Sequence, residues 1–245
     1  LAAQKIGMDP LKIRELNVIP DDAYPTTGAS GIKLEVLSHQ ASLKKLRELM
    51  NYDALRAEQA ALRKQGIHRG IGFATVIELT NPSAAFYGVG GARIASQDGA
   101  TVRLDPEGDI TVMVGVGEQG QGTEGIYRQI AADAVGVDIT KVRVVTGDTD
   151  VTPYGGGTWA SRGAGVGGEA VLLAGQALRE NILKVAAVIL KREAAGLAVR
   201  RDRVVDADSG EEVLPLKELG RIAYFRSDTL PADFTPELMV TRHYA

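Results

Sequence analysis

The sequence predicts an α+β fold, on three observations. Residues 101–105 and 109–114 are β-prone runs joined by Pro106-Glu107-Gly108, turn chemistry that makes an antiparallel hairpin. Residues 168–193 repeat Val171, Ala174, Leu178, Ile182, Val185 and Ile189 at spacings of three and four, the apolar stripe of a helix packed on a sheet. Hairpins and helices are mixed along the chain, without the regular strand–helix alternation of an all-parallel sheet.

The elements follow in order. Residues 1–6 have helical composition without a cap, and 10–16 form a short helix. Residues 21–32, rich in Pro, Gly, Thr and Ser, read as a surface loop. Ser42 caps one long helix over 43–64, with Leu43, Leu46, Met50 and Leu62 on one face, and Gly66 ends it. Residues 67–79 carry the β-branched and aromatic side chains of a strand interrupted by Gly70 and Gly72, and Asn81-Pro82-Ser83 turns the chain. A strand over 92–96 precedes the hairpin; a helix over 124–135 and a strand over 141–146 follow it. Beyond the long helix, 197–205 and 212–214 form a hairpin about Asp208-Ser209-Gly210, 216–224 a helix and 239–245 a strand. With no initiating Met and a last strand that stops in mid-pattern, the chain reads as a segment of a longer polypeptide.

Composition narrows the chemistry. With 44% hydrophobic residues the chain can bury a core, and a net charge of −3 offers no basic face for nucleic acid. No apolar run reaches the roughly 20 residues of a membrane span. The absence of cysteine removes disulfides, zinc thiolates and iron–sulfur clusters from these residues. His39, His68 and His243 lack ligand spacing, so no protein-ligated metal is expected.

Function concentrates between Gly115 and Gly168, where 14 of the 29 glycines lie. Glycine at this density lets backbone press against a ligand, at an entropic cost. Gly120-Gln121-Gly122-Thr123 opens a helix, and a glutamine between glycines offers two donors and an acceptor to a heterocycle edge, while helix N-terminal amides suit phosphate. The second loop, 148–162, adds Thr158, Ser161 and Arg162 among bare amides. Gly115-Val-Gly117-Glu-Gln-Gly120 also satisfies the dinucleotide pattern G-x-G-x-x-G, with Asp148 ending the next strand, so a nicotinamide-binding oxidoreductase is an alternative. The antiparallel neighbour of the preceding strand, and the glycines continuing to Gly122 and Gly125, count against it.

Four ordered motifs, at 6–19 (IGMDPLKIRELNVI), 52–78 (YDALRAEQAALRKQGIHRGIGFATVIE), 120–137 (GQGTEGIYRQIAADAVGV) and 147–163 (GDTDVTPYGGGTWASRG), carry a resemblance over nearly the whole chain. It resembles the molybdenum-cofactor-binding large subunit of the xanthine dehydrogenase and aldehyde oxidase family, within it the bacterial branch of carbon monoxide dehydrogenase large subunits. The resemblance implies paired α+β subdomains that grip molybdopterin, usually as molybdopterin cytosine dinucleotide. Residues 1–88 would be the C-terminal part of the first and 89–245 the N-terminal and central part of the second. It implies that Gly120, Gln121, Gly122 and Thr123 contact the cofactor and that Thr158, Trp159, Ala160, Ser161, Arg162 and Gly163 close over it. Ala160 would lie nearest the molybdenum and Ser161 would bond the cofactor. Gly125, where relatives usually carry threonine, and Arg162-Gly163-Ala164, where small hydroxyl residues are common, depart from the pattern.

The implied activity is oxidative hydroxylation of an aldehyde or N-heterocycle, or oxidation of CO, with water as oxygen source. The catalytic glutamate of relatives corresponds to a position beyond Ala245, so no catalytic residue is assigned here and the chain alone is expected to be inactive. Glu78, Glu118 and Glu124 read as strand-end, solvated-loop and helix-N-terminal charges. Expected partners are the rest of the large subunit, iron–sulfur and FAD subunits or domains, and a small-molecule substrate, in the cytoplasm. The non-enzymatic alternative is a scaffold fragment of the same fold.

Overall fold

The computed structural model describes residues 1–245 apart from Ser30, Ser83 and residues 90–92. The elements are α1 (Ala2–Lys5), α2 (Pro10–Asn17), β1 (Thr26–Thr27), β2 (Lys33–Leu34), α3 (His39–Leu49), α4 (Tyr52–Lys64), α5 (Ala84–Val89), β3 (Asp98–Leu104), β4 (Ile110–Val114), α6 (Thr123–Val135), β5 (Val142–Thr146), α7 (Gly168–Leu190), β6 (Leu197–Arg200), β7 (Arg203–Asp206), β8 (Glu212–Pro215), α8 (Leu216–Phe225) and β9 (Met239–Tyr244). They divide into two compact units, Leu1–Ile77 and Glu78–Ala245.

In the first unit the Asp9 carboxylate starts α2, accepting from Leu11 N (2.8 Å) and Lys12 N (3.2 Å), with Pro10 at the first helical position. Leu11, Leu43 and Tyr52 form the buried core, with Val18, Met50, Ile71 and Phe73 packed against it. The long helix predicted over 43–64 is two helices, because Asn51 takes a left-handed conformation (φ 48°). The core explains the break. At roughly 100° per residue, positions 43 and 52 of a straight helix would lie on opposite faces, whereas both side chains are buried in one cluster. The Tyr52 hydroxyl then donates to Asp9 at 2.8 Å. Ser38, not Ser42, stands at the start of α3. The strand predicted at 67–79 does not form. The segment makes no ladder among the described residues, since strand propensity needs an edge to pair with.

The second unit is built on a four-stranded sheet of order β5-β4-β3-β9. β3 and β4 are the predicted hairpin, with Val102 opposite Val112. β9 pairs antiparallel on the other side of β3. β5 lies parallel to β4 through the crossover helix α6. Val102, Leu104, Ile110, Val112 and Val114 are fully buried beneath Tyr127 and Ala131 of α6 and Val171, Ala174, Leu178 and Ile182 of α7. β6, β7 and β8 form a three-stranded meander. The single strand predicted over 197–205 is thus divided, at Arg201 and Asp202, which both take positive φ, the conformation a tight two-residue hairpin needs. The Tyr224 hydroxyl of α8 donates to the Leu104 carbonyl at 2.8 Å and ties the meander side to the sheet.

Two other differences bear on the site. The strand predicted at 92–96 begins outside the described residues at Ala92, and 93–96 form none. The carbonyls of Ala95 and Ser96 accept from Arg162 instead of joining a ladder. Helix α5, too short to show a periodic pattern in the sequence, brings Phe86 and Tyr87 beside Trp159. Among the described residues no helix is long and apolar enough to cross a membrane, and no cluster of three metal-ligating side chains occurs.

Candidate functional site

The two glycine loops meet. The Thr158 hydroxyl donates to the Gly117 carbonyl, joining the loop after β4 to the loop after β5. A cleft of about 480 Å3 opens between them, bordered by Gln121, Thr123, Thr158, Trp159, Ser161 and Gly163, with Glu78 and Ile126 also on its wall. This size suits an organic ligand.

The first loop is organised by Glu118. Its carboxylate accepts from the amides of Gly120 (2.6 Å), Gly122 (3.0 Å) and Glu124 (3.1 Å), closing the N-terminus of α6. These bonds, that from Glu124 foremost, hold the carboxyl below its ordinary range. Glu118 is therefore a cap as well as a loop charge open to solvent. Gln121 sits between Gly120 (φ 97°) and Gly122 (φ 84°). Its carbonyl oxygen accepts from Gln119 N (2.6 Å), and its amide donates to the Thr123 hydroxyl and to Gly117 O (3.4 Å).

The second loop is strained at its tip and bolted at its base. Ala160 and Ser161 take φ of 46° and 50°, unusual for residues with side chains. The Ala160 carbonyl accepts from Asn81 N (3.1 Å), and the Ser161 hydroxyl donates to Glu78. Next comes Arg162, whose side chain is wholly buried and forms an ion pair with the equally buried Asp98 at 2.5 Å. It also donates to Ala95 O (2.9 Å) and Ser96 O (3.0 Å) and lies over the Tyr87 ring, 5.5 Å from its centre. Burial pushes the Asp98 carboxyl upward and Arg162 opposes the shift. Gly155 and Gly156 pack so closely on this pair that a Cβ at either would collide with Asp98 or Arg162. The Tyr127 hydroxyl, raised above its ordinary pKa by burial, donates to Gly163 O at 3.1 Å. A π-helical turn, Gly163–Gly167, then leads into α7.

Of the residues named from the sequence, Gln121, Thr123 and all of 158–163 border this one cleft, and Gly120 and Gly122 flank Gln121. Arg162 differs from the rest in turning its side chain inward. Its guanidinium braces the loop from behind rather than presenting charge to a ligand. Sequence reasoning missed Asp98, Tyr127 and the capping function of Glu118. The signal for Asp98 was an arginine inside a run of small residues, which needs a counter-charge if buried. For Glu118 it was a carboxylate just ahead of a helix with free amides.

A polar heteroaromatic ligand fits this cleft. The Trp159 indole N–H is buried with no partner, while its ring stacks edge-on against Tyr87 at 5.3 Å. Gly120, Gly122 and Gly157 present open backbone at positive φ, with nothing within 4 Å of where a Cβ would stand. At the α6 N-terminus Glu118 already takes the amides of Gly122 and Glu124, so a phosphate there would have to displace it. The nucleotide-like G-x-G-x-x-G does lie between β4 and α6, yet Gly115 packs against Pro153 and Asp98 rather than facing a ligand. β4 is also flanked by an antiparallel strand, which a doubly wound sheet would not place there.

Comparison with known proteins supplies the family. The family described as molybdopterin cofactor-binding domain matches residues 45–245. The chain is 29% identical over 98% of its length to the nicotine 6-hydroxylase large subunit of Paenarthrobacter nicotinovorans, covering 29% of that protein. It is 32% identical over 99% of its length to the carbon monoxide dehydrogenase large chain of Hydrogenophaga pseudoflava, covering 30% of it. The crystal structure of quinoline 2-oxidoreductase from Pseudomonas putida 86 superposes with a TM-score of 0.64 at 32% identity, covering 99% of this chain and 31% of that one. The chain spans about 30% of the length of the curated relatives it matches. Four motifs in order, two glycine loops on one cleft and a family match over most of the residues lead to one assignment: the chain belongs to the molybdopterin cofactor-binding domain family of molybdenum-binding large subunits related to xanthine dehydrogenase.

Proposed function

We propose that this chain forms part of the cofactor cradle of a molybdenum hydroxylase. Gly120, Gln121, Gly122 and Thr123 would line one side, and Thr158, Trp159, Ala160, Ser161 and Gly163 the other, with Ala160 nearest the metal and Ser161 bonding the cofactor. The observation that carries the reading is the junction of the two loops through Thr158 and Gly117 beside an unpartnered indole N–H. Residues 1–88 and 89–245 are assigned to the first and second cofactor-binding subdomains. The cofactor would be molybdopterin in its cytosine dinucleotide form. When bound, it supplies two-electron redox chemistry and transfer of a water-derived oxygen.

The protein's own groups orient and exclude. Gln121 offers the free lone pair of its carboxamide oxygen to a ring edge, Trp159 walls the cleft, and Tyr127 and Arg162 hold the second loop rigid from beneath. Substrates would be small: an N-heterocycle, as in the names of the nicotine and quinoline enzymes, an aldehyde, or CO. As the family resemblance implies, the general base is assigned to a glutamate outside residues 1–245; within them Glu118 caps α6, Glu78 accepts from Ser161 and Glu124 accepts from Thr146. Iron–sulfur and FAD groups are assigned to other chains or domains in the cytoplasm, a division supported by the lack of cysteine here.

Metal and pterin analysis of the native assembly tests the proposal. About one molybdenum and one pterin per large subunit is the expected result. A purified, folded assembly without either would make the fold a scaffold and overturn it.

A further inference from the structure

We infer that Glu118 is the positioning residue that fixes how Gln121 is presented in the cleft, and that it closes the N-terminus of α6 to anions. This rests on the proposed role of Gln121 toward the cofactor.

Glu118 bonds backbone on both sides of Gln121, at Gly120 N (2.6 Å) before it and at Gly122 N (3.0 Å) and Glu124 N (3.1 Å) after it. Among the described residues no other side chain bonds the amides of these two glycines. Both sit at positive φ with no atom near the position a side chain would take, so the packed core does not impose their conformation. The carboxylate ties three amides of the loop together, by bonds stronger than neutral ones because the acceptor is charged. Within that shape the Gln121 carboxamide is braced at both ends, by Gln119 N (2.6 Å) and by the Thr123 hydroxyl. The same carboxylate sits where the α6 dipole would attract an anion. A phosphate there would face Glu118 at close range and find the amides of Gly122 and Glu124 taken, so the loop meets a ligand through the Gln121 carboxamide oxygen, which keeps a second lone pair beside its bond from Gln119 N.

The test is a double-mutant cycle in the complete enzyme, reading molybdenum and pterin content under limiting cofactor together with backbone hydrogen exchange of residues 117–124. Glu118→Ala is expected to lower cofactor retention about five- to tenfold and to raise exchange in this segment alone. Glu118→Gln, which keeps one acceptor oxygen, restores much of both. Glu118→Ala combined with Gln121→Ala retains no less cofactor than Gln121→Ala by itself, because a positioning residue has nothing left to position. Full cofactor in Glu118→Ala while Gln121→Ala loses it overturns the positioning role and leaves the cradle standing, as do losses that multiply in the double variant. Full cofactor in Gln121→Ala overturns both this inference and the place of Gln121 in the cradle.

Discussion

Arg162 shows how much a single side chain decides. Its guanidinium is shared among Asp98, Ala95 and Ser96 without access to water, and its forked geometry is what reaches all three. Removing one member of such a pair leaves an uncompensated buried charge, at a cost of about 3–5 kcal/mol. Arg162→Met is therefore expected to lower the melting temperature by at least about 6 °C, and Arg162→Met with Asp98→Asn to recover part of the loss, since no net charge remains buried. A fall below about 2 °C for Arg162→Met would show that the pair is not what holds the loop. At this scale the sequence is legible in kind but not in direction. Residue types mark the glycine-rich stretch, and the family resemblance narrows it to the loop 158–163. They do not show that Arg162 points away from the cleft, because its partner Asp98 lies 64 positions earlier, and long-range pairing leaves no periodic trace.

The elements that carry the site are α6 and α7, which cover the sheet and cross where Gly175 meets Ala134. A Cβ at Gly175 would lie 2.7 Å from the Ala134 Cβ, with no flexible side chain to yield. Alanine gains about 1 kcal/mol over glycine in a helix, but overpacking costs about 1–3 kcal/mol, so Gly175→Ala is expected to lower the melting temperature. Adding Ala134→Gly should restore it. Gly125→Ala, at an exposed position of α6, meets nothing within 4 Å and should raise it through propensity alone. Differential scanning fluorimetry decides both, and a stabilising Gly175→Ala would mean that the two helices are not in close contact at this crossing. Elements with strong periodicity, such as α7, α6 and the β3–β4 hairpin, are legible because pattern and turn chemistry agree. The break in the helix over 43–64 is not, since an asparagine tolerates the left-handed turn at position 51 without demanding it, and the burial of Tyr52 decides it. The strand expected over 67–79 fails because propensity says nothing about whether a neighbouring edge exists.

Across the molecule, a sheet covered by two helices sets two loops, from β4 and β5, at the same end of neighbouring parallel strands. Ligand sites commonly form at that end in sheets with crossover helices. The glycine content of both loops follows from their tasks, since one wraps the Glu118 carboxylate and the other packs onto the Asp98–Arg162 pair. The central claim is that these loops hold the molybdenum cofactor in the cleft between them. The most direct measurement is a crystal structure of the complete, cofactor-loaded enzyme with anomalous data collected at the molybdenum edge. The account predicts one strong anomalous peak per large subunit at the cleft bordered by Gln121 and Thr158, with Ala160 the nearest of the residues named from the sequence. A peak away from both loops, with Trp159 and Gln121 facing only protein, would contradict it.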